Sequence, residues 1–179
     1  MEKILIWFIV LFSLLSFSTV QQPEVSQEYQ VKAAFLFNFA QFVEWPADAF
    51  SEAQSPLVIG VLGEDPFGTL LEETVSGEKS NGHPLVVAHF KTVEEAKNCH
   101  ILFVNLPREK KQAAILSSLK GSGVLTVSDG ESFTKDGGMV RFTTEKNRVH
   151  LKINLTAVKE DNLSISSKLL RLAEIVTKK

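Results

Sequence analysis

The chain has 179 residues, 44% hydrophobic and 22% charged, with a formal net charge of −2 at pH 7. That near-neutral balance excludes the bulk attraction to nucleic acid that a strongly basic chain carries. The single cysteine excludes an internal disulfide, so stability has to come from packing, for which the apolar content of one domain is sufficient.

The first 18 residues read as a targeting segment. Lys3 supplies a positive start, Ile4 to Phe17 is an apolar and serine run, and Ser16-Phe17-Ser18 gives the small-x-small pattern of a signal-peptidase site. Fourteen helical residues rise about 21 Å, short of a roughly 30 Å hydrocarbon core, so the run predicts a cleaved leader and a secreted, periplasmic chain rather than a retained anchor. Removing residues 1–18 takes one acid, Glu2, and one base, Lys3, so the charge stays at −2. A single domain is expected over 27–177.

Tyr29 to Pro46, YQVKAAFLFNFAQFVEWP, predicts a long helix ended by Trp45-Pro46, because the residue before proline is pushed out of the α region. Val31, Phe35, Phe39 and Phe42 fall on one face with Leu36 and Val43 beside them, a core stripe. Asn38, Gln41 and Glu44 make a polar stripe flanked by Phe37 and Trp45. Two large aromatics beside polar residues have no obvious core to enter, so Phe37, Gln41 and Trp45 are candidate partner-contact residues.

LVIGVLG (57–63) is a continuous apolar run of the kind found in a strand covered on both faces. Asp65-Pro66 reads as a cap with proline at the first helical position, opening a short helix through Val75. LVVAHF (85–90) is the second strand, Thr92 caps a helix TVEEAKN, and HILFVN (100–105) is the third strand. Pro107 starts a helix to Lys120 with Ala113, Ile115, Leu116 and Leu119 as its apolar side, closed by Gly121 and Gly123. VLTVSD (124–129) is the fourth strand. Strand alternating with helix predicts an α/β fold, a three-layer Rossmann-like sandwich with a mostly parallel sheet.

After Gly137-Gly138, MVRFTTEKNRVHLKIN reads as a hairpin at one edge of the sheet. With Thr144–Asn147 as the turn, Thr143 pairs with Arg148, Arg141 with His150 and Met139 with Lys152, while Val140, Phe142, Val149, Leu151 and Ile153 take the opposite face. Arg141, Arg148, His150 and Lys152 then share one face, where like charges repel, so something acidic has to cover them: Glu160, Asp161, the last helix or a partner. Asn162 or Ser164 starts that last helix, with Ile165, Leu169, Leu172, Ala173 and Val176 as its stripe.

Catalytic groups are sparse. His83, His89, His100 and His150 have no metal-ligand spacing, and His89 and His100 lie in or at the start of apolar strands, where a hydrogen-bonded structural histidine is the commoner case. Cys99, opening CHILFV, reads as a buried, inert thiol. Asp65, Asn105 and Asp129 follow strands one, three and four, the end at which open α/β sheets bind ligands, and form a candidate rim for a small ligand. A tight turn suits Asp65 better than a phosphate loop, and a helix cap suits Asp129 better than a catalytic acid. An anionic ligand would find no cation there. No catalytic residue, metal or cofactor is expected.

Five blocks in order, VKAAFLFNFAQFVEWP (31–46), VLGEDPFG (61–68), CHILFVN (99–105), LTVSDGESFTKDGGMVRF (125–142) and LKINLTAV with LSISSKLLRLA (151–173), resemble the YfiR family of periplasmic proteins. The resemblance implies an α/β sandwich, often dimeric, that acts without catalysis. By that resemblance, such a protein binds the periplasmic sensor domain of a membrane-bound diguanylate cyclase and holds the cytoplasmic enzyme off, while other members work beside sensor kinases or outer-membrane channels. Cys99 matches one family cysteine and has no second to pair with, which argues against redox-controlled release. The alternative reading is a periplasmic small-ligand-binding protein that uses the strand-end loops.

Overall fold

A computed structural model describes residues 27–106 and 109–177. The expected leader and Pro107 lie outside the described residues. In chain order the elements are α1 (Gln27–Phe42), β1 (Val43–Glu44), a 3-10 turn (Ala47–Ala49), β2 (Leu57–Gly63), α2 (Leu70–Val75), β3 (Lys79–Ser80), β4 (His83–Phe90), α3 (Val93–Ala96), β5 (Ile101–Asn105), α4 (Glu109–Leu119), β6 (Leu125–Ser128), β7 (Val140–Glu145), β8 (Arg148–Asn154), α5 (Leu155–Glu160), β9 (Ser164–Ile165), α6 (Ser167–Leu170) and β10 (Ala173–Val176).

Eight strands form one mixed sheet in the order β10-β8-β7-β6-β5-β2-β4-β3. Every pairing is parallel except β7 with β8 and β3 with β4. The central strands are apolar throughout because both faces are covered. On one side Ile59, Val61, Ile101 and Phe103 pack under α1 and α2, and on the other Leu62, Leu102 and Val104 pack with Ala96, Leu116 and Leu119 of α3 and α4. Thr92 caps α3 as expected, accepting from Glu95 N while the Glu95 carboxylate accepts from Thr92 N.

Several expectations are corrected. α1 stops at Phe42, not at Trp45, because Val43 is taken by a second small sheet in which it pairs with Ile165 of β9. Its buried face is also rotated: Lys32, Ala33, Leu36, Phe39 and Ala40 are buried, Phe35 and Phe42 are half-buried, and Val31 is 40% exposed. Ala33 and Ala40 let the helix lie close to the sheet; Phe39 is buried in that contact and Phe35 stands at its flank, and they meet Phe142 at ring-centroid distances of 6.0 and 5.9 Å. The helix after Asp65 begins at Leu70, and α4 buries Gln112 while leaving Ala113 exposed.

The hairpin is not at the edge. β7 pairs with β6, and β8 pairs on its other side with β10. Its turn is the two residues Lys146 and Asn147, both at positive φ (50° and 59°), so the pairing is Glu145 with Arg148, Thr143 with His150 and Arg141 with Lys152. The register therefore differs from the expected one by two residues, which preserves the faces: Val140, Phe142, Leu151 and Ile153 are buried. The expected last helix is instead β9, α6 and β10, since Ile165 and Ala173–Val176 each find strand partners.

Candidate functional site

α1 runs across the sheet, so its start lies at the carboxyl end of β6 and its end at the opposite rim. Sixteen helical residues rise about 24 Å, close to the length of a seven-residue strand at about 23 Å. The candidate residues fall into three places along this path.

At the start of α1, Asp129 does not cap a helix. Its Oδ2 accepts from the Tyr29 hydroxyl (3.0 Å) and from Lys32 Nζ (2.7 Å). Lys32, 1% exposed, also pairs with Glu28 at 2.6 Å and lies 4.3 Å from the Tyr29 ring centroid. A buried ammonium survives only with such partners. The Lys32 hydrogen bond holds the Glu28 carboxyl below its ordinary range, while burial, and then the Asp129 charge, push the Tyr29 phenol up. A cation therefore does stand at this rim, contrary to expectation. The only sequence signal for it is the i,i+4 spacing of Glu28 and Lys32.

Asp65 and Asn105 do not join that cluster. Asp65 Oδ1 accepts from Phe67 N at 2.8 Å and its Oδ2 contacts His89 Nε2 at 3.0 Å, while Asn105 Nδ2 donates to the Glu64 carbonyl at 3.0 Å. Both stitch the turn after β2. His89 is hydrogen-bonded as expected, to Asp65, with its side chain 49% exposed near the end of β4 beside Asp65 and Glu72.

The hairpin carries the second place. Arg141, Arg148, His150 and Lys152 do share a face. Lys152 pairs with Glu174 of β10 at 2.9 Å, and Glu145 lies opposite Arg148. Among the described residues Arg141, Arg148 and His150 form no ion pair, and the buried Nε of Arg141 has no hydrogen-bond partner. Glu160 and Asp161 do not cover this face: Glu160 pairs with Lys120 at 2.9 Å, and Asp161, whose carboxyl burial raises, accepts from Gly121 N at 2.6 Å. A cavity of about 440 Å³ opens between hairpin and helix, lined by Lys32, Asp129, Arg141, Thr143, Glu145 and Lys152 among others.

The third place is the end of α1. Phe37 and Trp45 are half-buried against the main core, so these aromatics do find cover in their own chain. Trp45 Nε1 donates to the Gly123 carbonyl (3.1 Å) and the indole meets the His100 ring edge-on at 6.0 Å. Gln41 is exposed and donates to the Lys79 carbonyl at 3.0 Å. Phe50 stacks between His83 (3.7 Å) and His100 (4.5 Å). His100 is structural, as expected: its Nδ1 accepts from Val58 N (3.1 Å), which leaves Nε2–H to donate to the Ala49 carbonyl (3.3 Å). Burial depresses its basicity and pushes the buried Cys99 thiol up to about 12, which fits an unreactive thiol.

Residues 29–174 match a family model described as YfiR/HmsC-like. No curated protein matches the chain. Among solved structures, the crystal structure of a conserved domain protein from Vibrio cholerae O1 biovar El Tor is similar at a TM-score of 0.49 and 14% identity, over 68% of this chain and 55% of that one. The chain thus spans about half the length of that protein.

Proposed function

Because the chain belongs to the YfiR/HmsC-like family of periplasmic regulators, we propose that it binds the periplasmic sensor domain of a membrane signalling protein, of diguanylate-cyclase type or a sensor kinase, and holds it inactive. The observation that carries this reading is the hairpin face, where Arg141, Arg148 and His150 stand together without an ion pair among the described residues. An acidic patch on the sensor is the complementary surface, and it would set register and encounter rate more than raw affinity. Inhibition is then a population shift: the protein binds the inactive sensor more tightly than the active one, or it changes nothing. The engaged state of Asp129, held by Lys32 and Tyr29, supports a role without catalysis. Residues 1–18 act as the cleaved leader, and the mass of the exported chain tests that step.

Affinity capture from solubilised membranes tests the reading. The chain is expected to recover a transmembrane cyclase or kinase, and Arg148→Glu with His150→Glu, both at exposed positions, to reduce capture at least about tenfold. Capture of no transmembrane receptor would sink it.

The cavity beside Lys32, Asp129 and Arg141 favours a second reading, a small-ligand protein. Thermal-shift screening of nucleotides and amino acids separates the two, since a ligand at 100 times its Kd adds about 2.7 kcal/mol. In that reading Asp129 contacts the ligand, and Asp65 and Asn105 only shape the neighbouring loop.

A further inference from the structure

Residues 44–56, EWPADAFSEAQSP, carry Glu44, Asp48 and Glu52 and no lysine or arginine. With Val43, Leu57, Ser80, Asn81 and His83 the segment lines a cavity of about 630 Å³ at the end of α1, and among the described residues no lysine or arginine lines it. Its aromatic walls are held in place before anything binds. Trp45 is fixed by the Gly123 carbonyl, and Phe50 is clamped between two imidazoles, each of which is itself bonded to a backbone carbonyl of the same segment: His83 to Ser55 (2.7 Å) and His100 to Ala49 (3.3 Å). Two lining carboxylates, Glu44 and Glu52, are exposed.

Carboxylates attract cations by charge, and apolar wall surface gains by covering an apolar side chain. A wall that is already ordered loses little entropy when it is covered. β1, which borders the cavity, is paired only with β9 and lies at the edge of its two-stranded sheet. We infer that this groove docks an extended basic segment of a partner protein. The segment's lysine or arginine reaches Glu44 and Glu52, and its neighbouring aliphatic or aromatic side chain lies against Trp45 and Phe50. The inference deepens the regulatory reading, on which the identity of the partner rests, by naming the chemistry of a second contact distinct from the basic hairpin.

The test uses the exported chain without its first 18 residues, in which Trp45 is the one tryptophan of the two in the sequence, Trp7 leaving with the leader. The probes are two short peptides, one alternating arginine with leucine and the other glutamate with leucine. The arginine peptide is expected to saturate and shift the Trp45 emission, and to bind at least about tenfold more weakly when Glu44→Gln and Glu52→Gln are combined. Both acids are exposed, so that variant is expected to melt like the parent; Glu131→Gln, an exposed acid outside the groove, is expected to leave binding unchanged. Equal binding of the two peptides, or binding indifferent to the loss of Glu44 and Glu52, overturns the inference. If membrane capture recovers a receptor but peptide binding ignores the two glutamates, the groove is refuted and the regulatory reading stands. If the peptide binds selectively and capture yields nothing, the regulatory reading falls instead.

Discussion

Lys32 and Asp129 are unequal partners. Lys32 is almost wholly enclosed, whereas Asp129 keeps about a quarter of its side-chain surface. Asp129→Ala leaves an enclosed ammonium with Glu28 as its remaining carboxylate, and is expected to cost about 3 kcal/mol in urea unfolding. Lys32→Met leaves two carboxylates that still reach water and is expected to cost less, about 1 to 2 kcal/mol. A reversed order would show that the lysine is not the strained member. Hydropathy could not reveal this pair. A helical wheel assigns a lysine to the outside by type, and Asp129 stands one hundred residues from Tyr29, which shares it.

His100 predicts a pH response. Burial lowers its proton affinity below the ordinary value of 6.5, so the unfolded chain takes up the proton first. The stability contributed by neutral His100 is fully present above about pH 6.5 and is lost as pH falls toward and through the lower folded value. Protonation also removes the acceptor that Nδ1 offers Val58 N–H. Denaturation midpoints measured across that range are expected to drop on the acid side. His100→Asn is expected to flatten the slope, and an unchanged slope in that variant would refute the assignment.

At the level of elements, one cap was fully legible, while the cap at Asp65, the cap at Asp129 and the hairpin turn were not. Thr92-x-x-Glu95 spells a capping box, and Thr92→Ala is expected to cost about 1 kcal/mol in thermal melts. The hairpin was legible in its faces but not in its register, because both Thr144–Asn147 and Lys146-Asn147 close it with the same parity. Lys146 stands at φ 50°, where a side chain is unfavourable. Replacing Lys146-Asn147 by Asn-Gly is expected to stabilise the hairpin by about 0.5 to 1 kcal/mol, measured as a raised urea midpoint, whereas a lowered midpoint would contradict the turn type. The C-terminal stretch was misread because Ile165, Leu169, Leu172 and Val176 keep a helical spacing although β9 and β10 are drawn into two different sheets. Leu172, 67% exposed, is the residue that a helical stripe would have hidden.

Across the whole molecule, the alternation of strand and helix was enough to expect a mostly parallel sheet, and the apolar runs at 57–63 and 101–105 marked its middle. The strand order beyond β6 was not legible, since nothing local says that β10 will lie parallel to β8 and enclose the hairpin. The sites divided in the same way. The cations of the hairpin followed from period two alone, while the cover of Trp45 depends on Gly123 and His100, residues brought to it by the sheet.

That sheet has a temporal consequence. α1 is made early, yet Phe35 and Phe39 lie against Phe142 of β7, and Lys32 pairs with Asp129, all from the final third of the chain. β2, β4 and β5 can associate among themselves well before those partners exist. The first described helix can rest on β2 and β5 early but completes its packing last, and hydrogen exchange on ribosome-bound chains should find its amides fully guarded only once the chain extends past β8.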